Sequence, residues 1–461
     1  MTDIYTVEHA NQFIQQYKDE VNQQFKPDIH FSAPIGWIND PNGFVYFRGE
    51  YHLFYQYYPY DSVWGPMHWG HAKTVDFVHW EHLPVALAPD MPYDKDGCFS
   101  GSAIVKDDVL WLMYTGNVEQ EDGSVRQIQN MAYSEDGITF VKIPENPVAT
   151  GDILPAEFVQ SDFRDPKVFE KDGTYYAVVA AKHQDNVGAI ILLGSDDLIT
   201  WRFESVFLKG KPEQGTMWEC PDYFTLDGQD MLLMSPMRVP RIKHHFRNIN
   251  SAVVMMGKVN WDSKTFEPTS FEELDHGHDF YAPQSLVDAK GRRIMIAWLH
   301  TWGRSLPSHD LKHRWAGSMC LPRQLTVRHN QLYQTILPES LNALQRLKVD
   351  EEVTHAGFLE IDVSGGLDMR LGTSDDYLSF GFDDNEKIVY IDRSQLKYPL
   401  NGDESWDVSR RSVPILANKL VVVIDRNSLE IIINDGEESL SSAYYIPGDC
   451  YLKQTPPEAK A

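Results

Sequence analysis

The sequence predicts an all-β protein in which a five-bladed β-propeller is followed by a C-terminal β-sandwich, with one short helix at the N-terminus. Two observations carry this prediction. After residue 24, short apolar or alternating runs rich in Val, Ile, Tyr, Phe and Trp lie between clusters of Gly, Asp, Asn and Pro, a pattern typical of successive β-hairpins. A turn followed by a strongly apolar strand also recurs five times, at intervals of 55 to 65 residues, which suits one four-stranded propeller blade.

The N-terminal helix is predicted from six apolar residues at helical spacing. They follow Thr6, a residue type that caps helices because its hydroxyl accepts a backbone N–H. The six residues are Val7, Ala10, Phe13, Ile14, Tyr17 and Val21. We therefore expect one amphipathic helix before the first strand.

Five stretches are expected to form the innermost strands of the blades, because each directly precedes one of the recurring apolar strands. They are residues 39–47, 99–105, 164–169, 219–226 and 282–288. Asp40, Asp165 and Glu219 stand at the start of three of these strands. Since inner strands line the central channel of a propeller, the three acids should converge at one mouth of it.

The repeat ends after Arg323, and the remaining chain has a different pattern. Residues 338–348 predict a short helix with Leu341, Leu344 and Leu347 on one face. Beyond Asp350, six alternating stretches predict two packed antiparallel sheets. The expected domains are the helix and propeller over residues 1–337, a linker helix over 338–349 and the sandwich over 350–461.

The composition excludes several classes of function. Forty-one basic and 67 acidic residues give a net charge of −26, the wrong sign for binding nucleic-acid phosphates. The first 20 residues lack the apolar run of a secretory signal, and no stretch has the roughly 18 apolar residues of a membrane-spanning helix. The four cysteines lack the spacing of a zinc site or a disulfide framework. We expect a cytoplasmic protein without a nucleic-acid or membrane partner, and a homodimer is left open.

Two carboxylates across a sugar can cleave a glycosidic bond, and Asp40 and Glu219 suit this chemistry. Asp40 lies in the stretch GWINDPNG, which has the residues of a tight turn. Glu219 lies between Trp218 and Cys220, apolar neighbours that would favour its protonated form. Each motif alone also fits a plainer interpretation, an ordinary β-turn and an edge strand.

Taken together, the motifs resemble glycoside hydrolase family 32, which contains invertases, fructanases and sucrose-6-phosphate hydrolases. Eight motifs occur in the order seen in that family, between about residues 30 and 325. They are HFSAPIGWINDPNGF, HLFYQYYP, WGPMHWGHA, FSGSA, YTG, RDPKV, WECPD and WAGSMCLPRQL. The resemblance continues more weakly through RSVPIL and VVVIDRNSLEIIINDGE, which are similar to the family's C-terminal sandwich.

The resemblance implies a role for each catalytic candidate. Asp40 matches the nucleophile that forms a covalent fructosyl-enzyme, and Glu219 matches the general acid and base. Asp165 matches the carboxylate that stabilises the transition state, and Arg164 matches the arginine beside it. The positions that match the sugar pocket are Asn39, Gln56, Trp64, Phe99 and Ser100, with Tyr281 and Trp298 in later blades, where the family pattern is looser. No metal and no cofactor is expected.

The expected function is that of a retaining β-fructofuranosidase acting on sucrose, sucrose 6-phosphate or short fructo-oligosaccharides. A retaining pair places the carboxyl groups of Asp40 and Glu219 about 5 to 5.5 Å apart. Two alternatives stay open. The covalent intermediate can pass its fructosyl group to another sugar, which would make the protein a fructosyltransferase, or the propeller can bind sugar without catalysis.

Three further features of the sequence also have plainer interpretations. His68 and His71 have the spacing of metal ligands on a helix, but they lie in a strand-like stretch without an evident third ligand, so we expect structural or substrate-contact roles. Cys220 is expected to be a packing group, since no paired histidine is evident. The basic stretch 238–247 could hold the phosphate of sucrose 6-phosphate, or it could be a solvated loop or a subunit contact.

Overall fold

The computed structural model describes residues 5–400, 402 and 409–455. Its N-terminal helix, α1 (Val7–Tyr17), starts as predicted, because the Thr6 hydroxyl accepts the backbone N–H of His9 at 3.1 Å. Short 3₁₀ turns follow at Lys18–Glu20, Gly151–Ile153 and Pro212–Gln214. Among the described residues no helix is long and apolar enough to cross a membrane.

Five antiparallel sheets follow in chain order, and each corresponds to one sequence repeat. The strands of the first three sheets are β1 (Gly36–Phe47), β2 (Glu50–Tyr58), β3 (His68–Thr74), β4 (Glu81–Leu87), β5 (Cys98–Lys106), β6 (Val109–Glu119), β7 (Val125–Ser134), β8 (Val141–Lys142), β9 (Phe158–Lys171), β10 (Thr174–His183), β11 (Val187–Ser195) and β12 (Arg202–Lys209). Within each of the sets β1–β4, β5–β8 and β9–β12, strands that follow one another in the chain are also neighbours in the sheet, so each set forms a simple meander.

The last two sheets complete the propeller. Their strands are β13 (Met217–Leu226), β14 (Gln229–Met237), β15 (Val253–Asn260), β16 (Thr265–Pro268), β17 (Glu272–Glu273), β18 (Tyr281–Val287), β19 (Arg293–Trp298), β20 (Trp315–Ala316), β21 (Arg323–Arg328) and β22 (Gln331–Ile336). A short helix, α2 (Pro307–Asp310), precedes β20. In the chain β20 lies between strands of the fifth sheet, but it pairs in parallel with β1 and so connects the last blade to the first.

The five predicted inner strands form a ring. β1, β5, β9, β13 and β18 are the first strands of their sheets, and each contacts the next, with β18 returning to β1. The prediction of a five-bladed propeller is therefore confirmed. Polar contacts support this closure: Gln284 of β18 accepts the backbone N–H of Phe44 at 2.9 Å and donates to the carbonyl of Gly101 at 3.0 Å.

Local turn chemistry explains why the repeat is visible in the sequence. In the first four blades the inner hairpin turns on two residues that both have positive φ, the geometry of tight hairpin loops. These pairs are Arg48 with Gly49, Asp107 with Asp108, Asp172 with Gly173, and Asp227 with Gly228. The second recurring element is a hydroxyl residue followed two positions later by an aspartate that accepts backbone N–H groups. It occurs at Thr74 and Asp76, Ser134 and Asp136, and Ser195 and Asp197.

The C-terminal part is a sandwich of two antiparallel sheets, as predicted. Its strands are β23 (Gln345–Arg346), β24 (Glu351–Glu352), β25 (Gly357–Asp362), β26 (Leu367–Gly372), β27 (Tyr377–Asp383), β28 (Ile388–Gln395), β29 (Arg410–Pro414), β30 (Lys419–Asp425), β31 (Ser428–Ile433), β32 (Glu438–Ala443) and β33 (Tyr451–Gln454). One sheet has the order β23-β25-β30-β31-β32, and the other has the order β24-β33-β26-β27-β28-β29.

The linker helix is shorter than the sequence predicts. α3 spans Pro338–Ala343, not residues 338–349. Leu344 is extended, and Gln345 and Arg346 pair with β25 instead of continuing the helix. Sheet pairing therefore outweighs the helical spacing of the leucines. The division into residues 1–337, 338–349 and 350–461 stays a prediction, and residues 401, 403–408 and 456–461 of its last segment lie outside the described residues.

A buried ionic network joins the propeller to the sandwich. Arg323 of β21 pairs with Asp275 at 3.2 Å and with Glu430 of β31, and all three side chains are fully buried. His30 lies 2.8 Å from both Asp425 and Glu430. A buried charge is tolerated only when it is paired in this way, so the two parts are fitted to each other by specific contacts.

Candidate active site

The inner strands are irregular where they reach one mouth of the channel. Asp165, Cys220 and Ala282 have φ values of 62°, 49° and 51°, which is uncommon for residues other than glycine. The pairing register with the second strand also shifts in every blade, between Ile38 and Pro41, Phe99 and Gly101, Arg164 and Lys167, Glu219 and Asp222, and Tyr281 and Gln284. Such bulges change the direction in which a side chain points and often lie beside active sites.

These irregular strand ends surround a cavity of about 550 Å³. Nine of the eleven site residues expected from the sequence line it, namely Asn39, Asp40, Gln56, Trp64, Phe99, Ser100, Arg164, Asp165 and Glu219. The structure adds Val125, Gln127, Ser161, Asp162, Met237, Asn250 and Trp302 to the lining. Acids from the first, third and fourth blades thus meet in one space.

Asp40 is almost fully buried and is held by hydrogen-bond donors. Its Oδ2 accepts the Ser100 hydroxyl at 2.7 Å and the Cys220 thiol at 3.3 Å, and its Oδ1 accepts the side-chain amide of Asn39 at 3.1 Å. Burial, followed by the nearby charge of Glu219, raises the pKa of Asp40, while the bond from Ser100 opposes the rise. The carboxylate is therefore fixed in position but is poorly solvated.

Asp165 lies beside Cys220. Its Oδ2 accepts the backbone N–H of Cys220 at 3.0 Å, and the Cys220 thiol lies 3.7 Å from the same oxygen. Burial raises the pKa of Asp165 to about 7, Arg164 opposes this, and the charges of Glu219 and Asp40 add to it. Burial and the three acids also raise the pKa of the Cys220 thiol well above its ordinary value, so the thiol packs against the carboxylates and stays protonated.

Glu219 has charged and polar partners. Its Oε1 accepts from Arg164, with Nη2 at 3.0 Å and Nε at 3.3 Å, and its Oε2 accepts the hydroxyl of Tyr281. Trp218 instead points into the core and donates its ring N–H to the carbonyl of Gln214 at 2.8 Å. Neighbouring residues of a strand point to opposite faces. The sequence neighbours Trp218 and Cys220 predict apolar surroundings for Glu219, but its carboxylate has polar surroundings instead.

The comparisons with known proteins agree with this architecture. The family model described as Glycosyl hydrolases family 32 N-terminal domain matches residues 30–336, and the model of the family's C-terminal domain matches residues 328–455. The chain belongs to glycosyl hydrolase family 32. The resemblance seen in the sequence motifs is thus confirmed, and the protein is a glycoside hydrolase.

Three relatives illustrate the range of this family. The chain is 37% identical over 448 residues to a sucrose-6-phosphate hydrolase of Bacillus subtilis, covering 91% of this chain and 89% of that one. It is 36% identical over 460 residues to a raffinose invertase of Escherichia coli, covering 92% and 90%. A mutant of a Bombyx mori GH32 beta-fructofuranosidase, in complex with sucrose, matches with a TM-score of 0.85 at 30% identity, covering 98% and 95%.

Two residues expected in the pocket of this family 32 hydrolase do not line the cavity. Tyr281 is fully buried but reaches the site through its hydroxyl, which bonds to Glu219. Trp298 is fully buried behind the wall, with its ring centroid 5.7 Å from that of Trp37 and 5.1 Å from that of Trp302. Trp298 is therefore a supporting residue, and Trp302 provides the aromatic surface. Trp298 pairs with Tyr281 across β18 and β19, and in this register the Trp298 side chain lies in the core.

Sequence reasoning missed the polar residues that surround Arg164. Its Nη1 donates to Asp162 at 2.9 Å and to Gln127 at 3.2 Å. Burial disfavours the charge of Arg164, but Glu219, Asp165 and Asp162 outweigh it and raise its pKa. The RDP motif could have indicated these partners, because a buried arginine beside a buried acid needs several hydrogen-bond acceptors.

The basic stretch 238–247 of the hydrolase contacts the sandwich. His244 bonds to the Ser412 hydroxyl at 2.8 Å, and the carbonyl of Arg247 accepts from Arg411 at 3.1 Å. The loop flanks the cavity through Met237 and Asn250, which line it, whereas Arg241, Lys243 and Arg247 are not among the lining residues. The structure therefore brings residues on either side of this segment to the site, but not its basic side chains.

His68 and His71 occupy separate environments. His68 is fully buried, with Nδ1 2.9 Å from the carbonyl of Pro66. His71 lies 2.9 Å from the ring nitrogen of His52 and stacks on Phe54, with ring centroids 4.1 Å apart. These contacts fit the structural interpretation of both residues.

Proposed function

We propose that this family 32 enzyme is a retaining β-fructofuranosidase that hydrolyses the fructosyl bond of sucrose, sucrose 6-phosphate and short fructo-oligosaccharides. One observation carries the proposal: Asp40, Asp165 and Glu219 come from three blades and line the same cavity. Its volume of about 550 Å³ lies in the range of small-molecule sites, roughly 300 to 1,000 Å³.

The carboxylates of Asp40 and Glu219 have different surroundings, and the difference suits two roles. Asp40 is fixed by the hydroxyl of Ser100 and the amide of Asn39, so it can attack the anomeric carbon of the fructosyl unit from a set position. Glu219 is the most exposed of the three acids, with 18% of its side chain accessible, so a leaving oxygen and then a water molecule can reach it. We assign Asp40 as nucleophile and Glu219 as general acid and base.

The reaction then runs in two steps. Glu219 gives its proton to the oxygen of the leaving sugar while Asp40 forms an ester with the anomeric carbon, and the glycosidic bond breaks. Glu219 next takes a proton from water, the water oxygen attacks the anomeric carbon, and the ester bond to Asp40 breaks. Fructose and the second sugar are released, and both carboxyl groups return to their starting states.

Asp165 supports the transition state in this proposal. Three carboxyl groups and one guanidinium share the site, and the pKa of Asp165 lies at about 7, so the cluster holds a proton near neutral pH. When ring hydroxyls of the fructosyl unit donate to Asp165, its ionised form is favoured.

The preference for sucrose or its phosphate depends on the rim of the cavity. Trp64, Trp302 and Met237 offer apolar surface there, and Arg164, which is engaged by Glu219, is the one cation among the described lining residues. The curated relatives carry the names of both a sucrose-6-phosphate hydrolase and a raffinose invertase at nearly equal identity. We therefore propose that sucrose and sucrose 6-phosphate are both cleaved.

Kinetics with two isosteric variants test the catalytic roles. Asp40→Asn and Glu219→Gln should each abolish most sucrose turnover while circular dichroism stays that of the wild type. Asp136→Asn, an exposed acid in a hairpin turn, is the matched control and should keep full activity. Wild-type turnover in either variant would remove that residue from its role.

Product analysis tests the retaining pathway and the transferase alternative. In aqueous methanol, a retaining enzyme should form methyl β-fructofuranoside, because methanol intercepts the fructosyl ester on the same face as water. Release of glucose and fructose in equal amounts at moderate sucrose concentration supports hydrolysis, whereas a persistent excess of glucose indicates fructosyl transfer. A product of inverted configuration would contradict the covalent intermediate.

The proposal includes the cytoplasmic location expected from the sequence, where a transporter would supply the sugar. A homodimer stays a prediction. Light scattering on the purified chain, whose mass is 52.9 kDa, distinguishes a monomer from a dimer.

A further inference from the structure

A three-residue cluster lies outside the catalytic cavity, where the loop between β14 and β15 folds against the fourth blade and the sandwich. His245 belongs to that loop, Glu273 ends β17, and His276 follows three residues later. The side chains of Glu273 and His276 are 5% and 3% exposed, whereas that of His245 is 44% exposed. The cluster is thus closed on the protein side and open on one face.

The ligand atoms of this cluster point toward one another. The Nδ1 atoms of His245 and His276 lie 3.4 Å and 3.2 Å from the same oxygen, Oε2 of Glu273, and the three atoms lie within 4.8 Å of one another. Ligands of a tetrahedral zinc ion, with bonds of about 2.0 to 2.1 Å, are about 3.3 Å apart. The two short spacings match the edges of such a tetrahedron.

Two of these atoms also lack any other partner. Oε2 of Glu273 and Nδ1 of His276 are buried and make no hydrogen bond of acceptable geometry with the described residues. Buried polar atoms normally have a partner, and an unsatisfied one is a sign of an ion or a water molecule between the groups. Both atoms are therefore directed into the space that an ion would take.

The second nitrogen of His276 is held from the sandwich. Its Nε2 lies 3.1 Å from the carboxylate of Glu438 in β32, and its backbone N–H donates to the carbonyl of Ser439 at 2.9 Å. Histidines that bind a metal commonly donate their other ring N–H to a carboxylate, which fixes the tautomer and the ring orientation. The ring of His276 is thus already oriented for a ligand at Nδ1.

We propose that His245, Glu273 and His276 form a zinc site, with a water molecule as fourth ligand on the open side of His245. Two imidazoles and one carboxylate are a donor set that Zn²⁺ takes readily. The ion fastens the loop to the fourth blade and, through Glu438, to the sandwich. This departs from the expectation of a metal-free protein, but it leaves the reaction unchanged, since none of the three acids of the cavity belongs to the cluster.

A proton competes with zinc for this position. Burial disfavours a charged His276, but the neighbouring carboxylates of Glu273 and Glu438 outweigh burial and raise its pKa to about 10. An imidazolium between two carboxylates would also hold these elements together. Zinc must displace that proton, so metal binding by the intact protein decides between the two.

The test uses the full chain, stripped of metal with a chelator and then titrated with zinc chloride in a calorimeter. We expect one equivalent of zinc per chain and a rise in melting temperature with zinc concentration, because an ion that binds only the folded state stabilises it. His245→Ala changes the exposed ligand and should keep the fold, and its zinc affinity should fall at least tenfold. Glu273→Gln keeps the size of the side chain and should show the same loss.

His79→Ala is the matched control. His79 is an exposed histidine 2.7 Å from the carboxylate of Asp76. This pair has no third ligand among the described residues, and the loss of His79 should leave zinc binding unchanged. Cobalt(II) bound in place of zinc should give the strong visible absorption of a tetrahedral site. No zinc binding by the wild type, an unchanged affinity in His245→Ala, or a loss in His79→Ala would each overturn the proposal and favour the imidazolium.

Discussion

Replacing Asp165 by Asn is expected to stabilise the folded protein at neutral pH, although it removes one acid of the catalytic cluster. Asp165 is buried near Asp40 and Glu219, and its pKa in the folded protein is about 7 against an ordinary value of 3.8. The folded state therefore holds a proton on this group that the unfolded chain releases at a lower pH. Asn has the same shape, its oxygen can still accept the N–H of Cys220, and it carries no charge.

The size of the effect follows from the shift in pKa. Between pH 3.8 and about 7, Asp165 ionises in the unfolded chain but stays protonated in the folded protein. This lowers the free energy of unfolding by about 1.4 kcal/mol for each unit of the shift, so up to about 4 kcal/mol. Coupling to the other two acids divides this value among them, so we expect about 1 to 4 kcal/mol. For 461 residues, an unfolding entropy of about 2.1 cal/mol/K per residue gives about 1 °C per kcal/mol.

The assay is the melting temperature of both proteins by calorimetry from pH 4 to pH 8. The gain from Asp165→Asn should be absent near pH 4, grow as pH rises, and level off above pH 7. Because Asn also tolerates the positive φ at this position, only the pH-dependent part of the gain tests the reasoning. A difference that does not change between pH 4 and pH 8 would refute it.

An aspartate with the opposite shift serves as control. Backbone N–H groups of Thr139 and Ile138 hold the pKa of Asp136 at about 2. Its ionised form stabilises the fold above the ordinary pKa, and this contribution is lost as pH falls through about 2. Asp136→Asn should therefore lower the melting temperature at pH 7. The difference in melting temperature from the wild type should become smaller under acid conditions.

Three further substitutions probe other contacts. Tyr281→Phe removes the hydroxyl donor to Glu219, a charged hydrogen bond of about 1.5 to 3 kcal/mol, so kcat/KM for sucrose should fall about 10- to 100-fold. Arg323→Met leaves the buried carboxylate of Glu430 without its guanidinium, and urea unfolding should show a loss of about 3 to 5 kcal/mol. Trp302→Ala removes aromatic surface from the cavity wall and should raise KM for sucrose more than it lowers kcat.

Each of these outcomes has a counterpart that would contradict it. An unchanged kcat/KM in Tyr281→Phe would mean that its hydroxyl does not act on Glu219 during the reaction. A stability of Arg323→Met equal to that of the wild type would mean that the sandwich does not depend on this network. A fall in kcat alone for Trp302→Ala would place that ring in the chemical step and not in binding.

The repeated part of the fold could be predicted because its local chemistry repeats. Turns such as that at Asp172 and acids such as Asp136 recur with the blades, and the alternation of side chains marks the strands between them. The same spacing led from Asp40, Asp165 and Glu219 to a common mouth. The inner strands thus followed from periodicity, and the convergence of the acids followed from the strands.

What the sequence did not yield depends on contacts outside the period. Trp302 lies in the long connection after β19, where no spacing relates it to the other blades, so the sequence motifs pointed to Trp298 and not to Trp302. The end of α3 at Ala343 depends on pairing with β25, which is remote in the chain. The partners of Glu219 depend on Arg164 and Tyr281, which belong to the blades on either side of it.

The distribution of the three acids over separate blades makes catalytic activity a reporter of the closed ring. No single hairpin or sheet contains more than one of Asp40, Asp165 and Glu219, so a chain in which one of these blades has come away cannot hold the cluster. Activity should therefore disappear with the first blade that opens, before most of the strands have melted. A cut in an outer hairpin loop, by contrast, leaves the inner strands in place, so a nicked molecule can still turn over sugar.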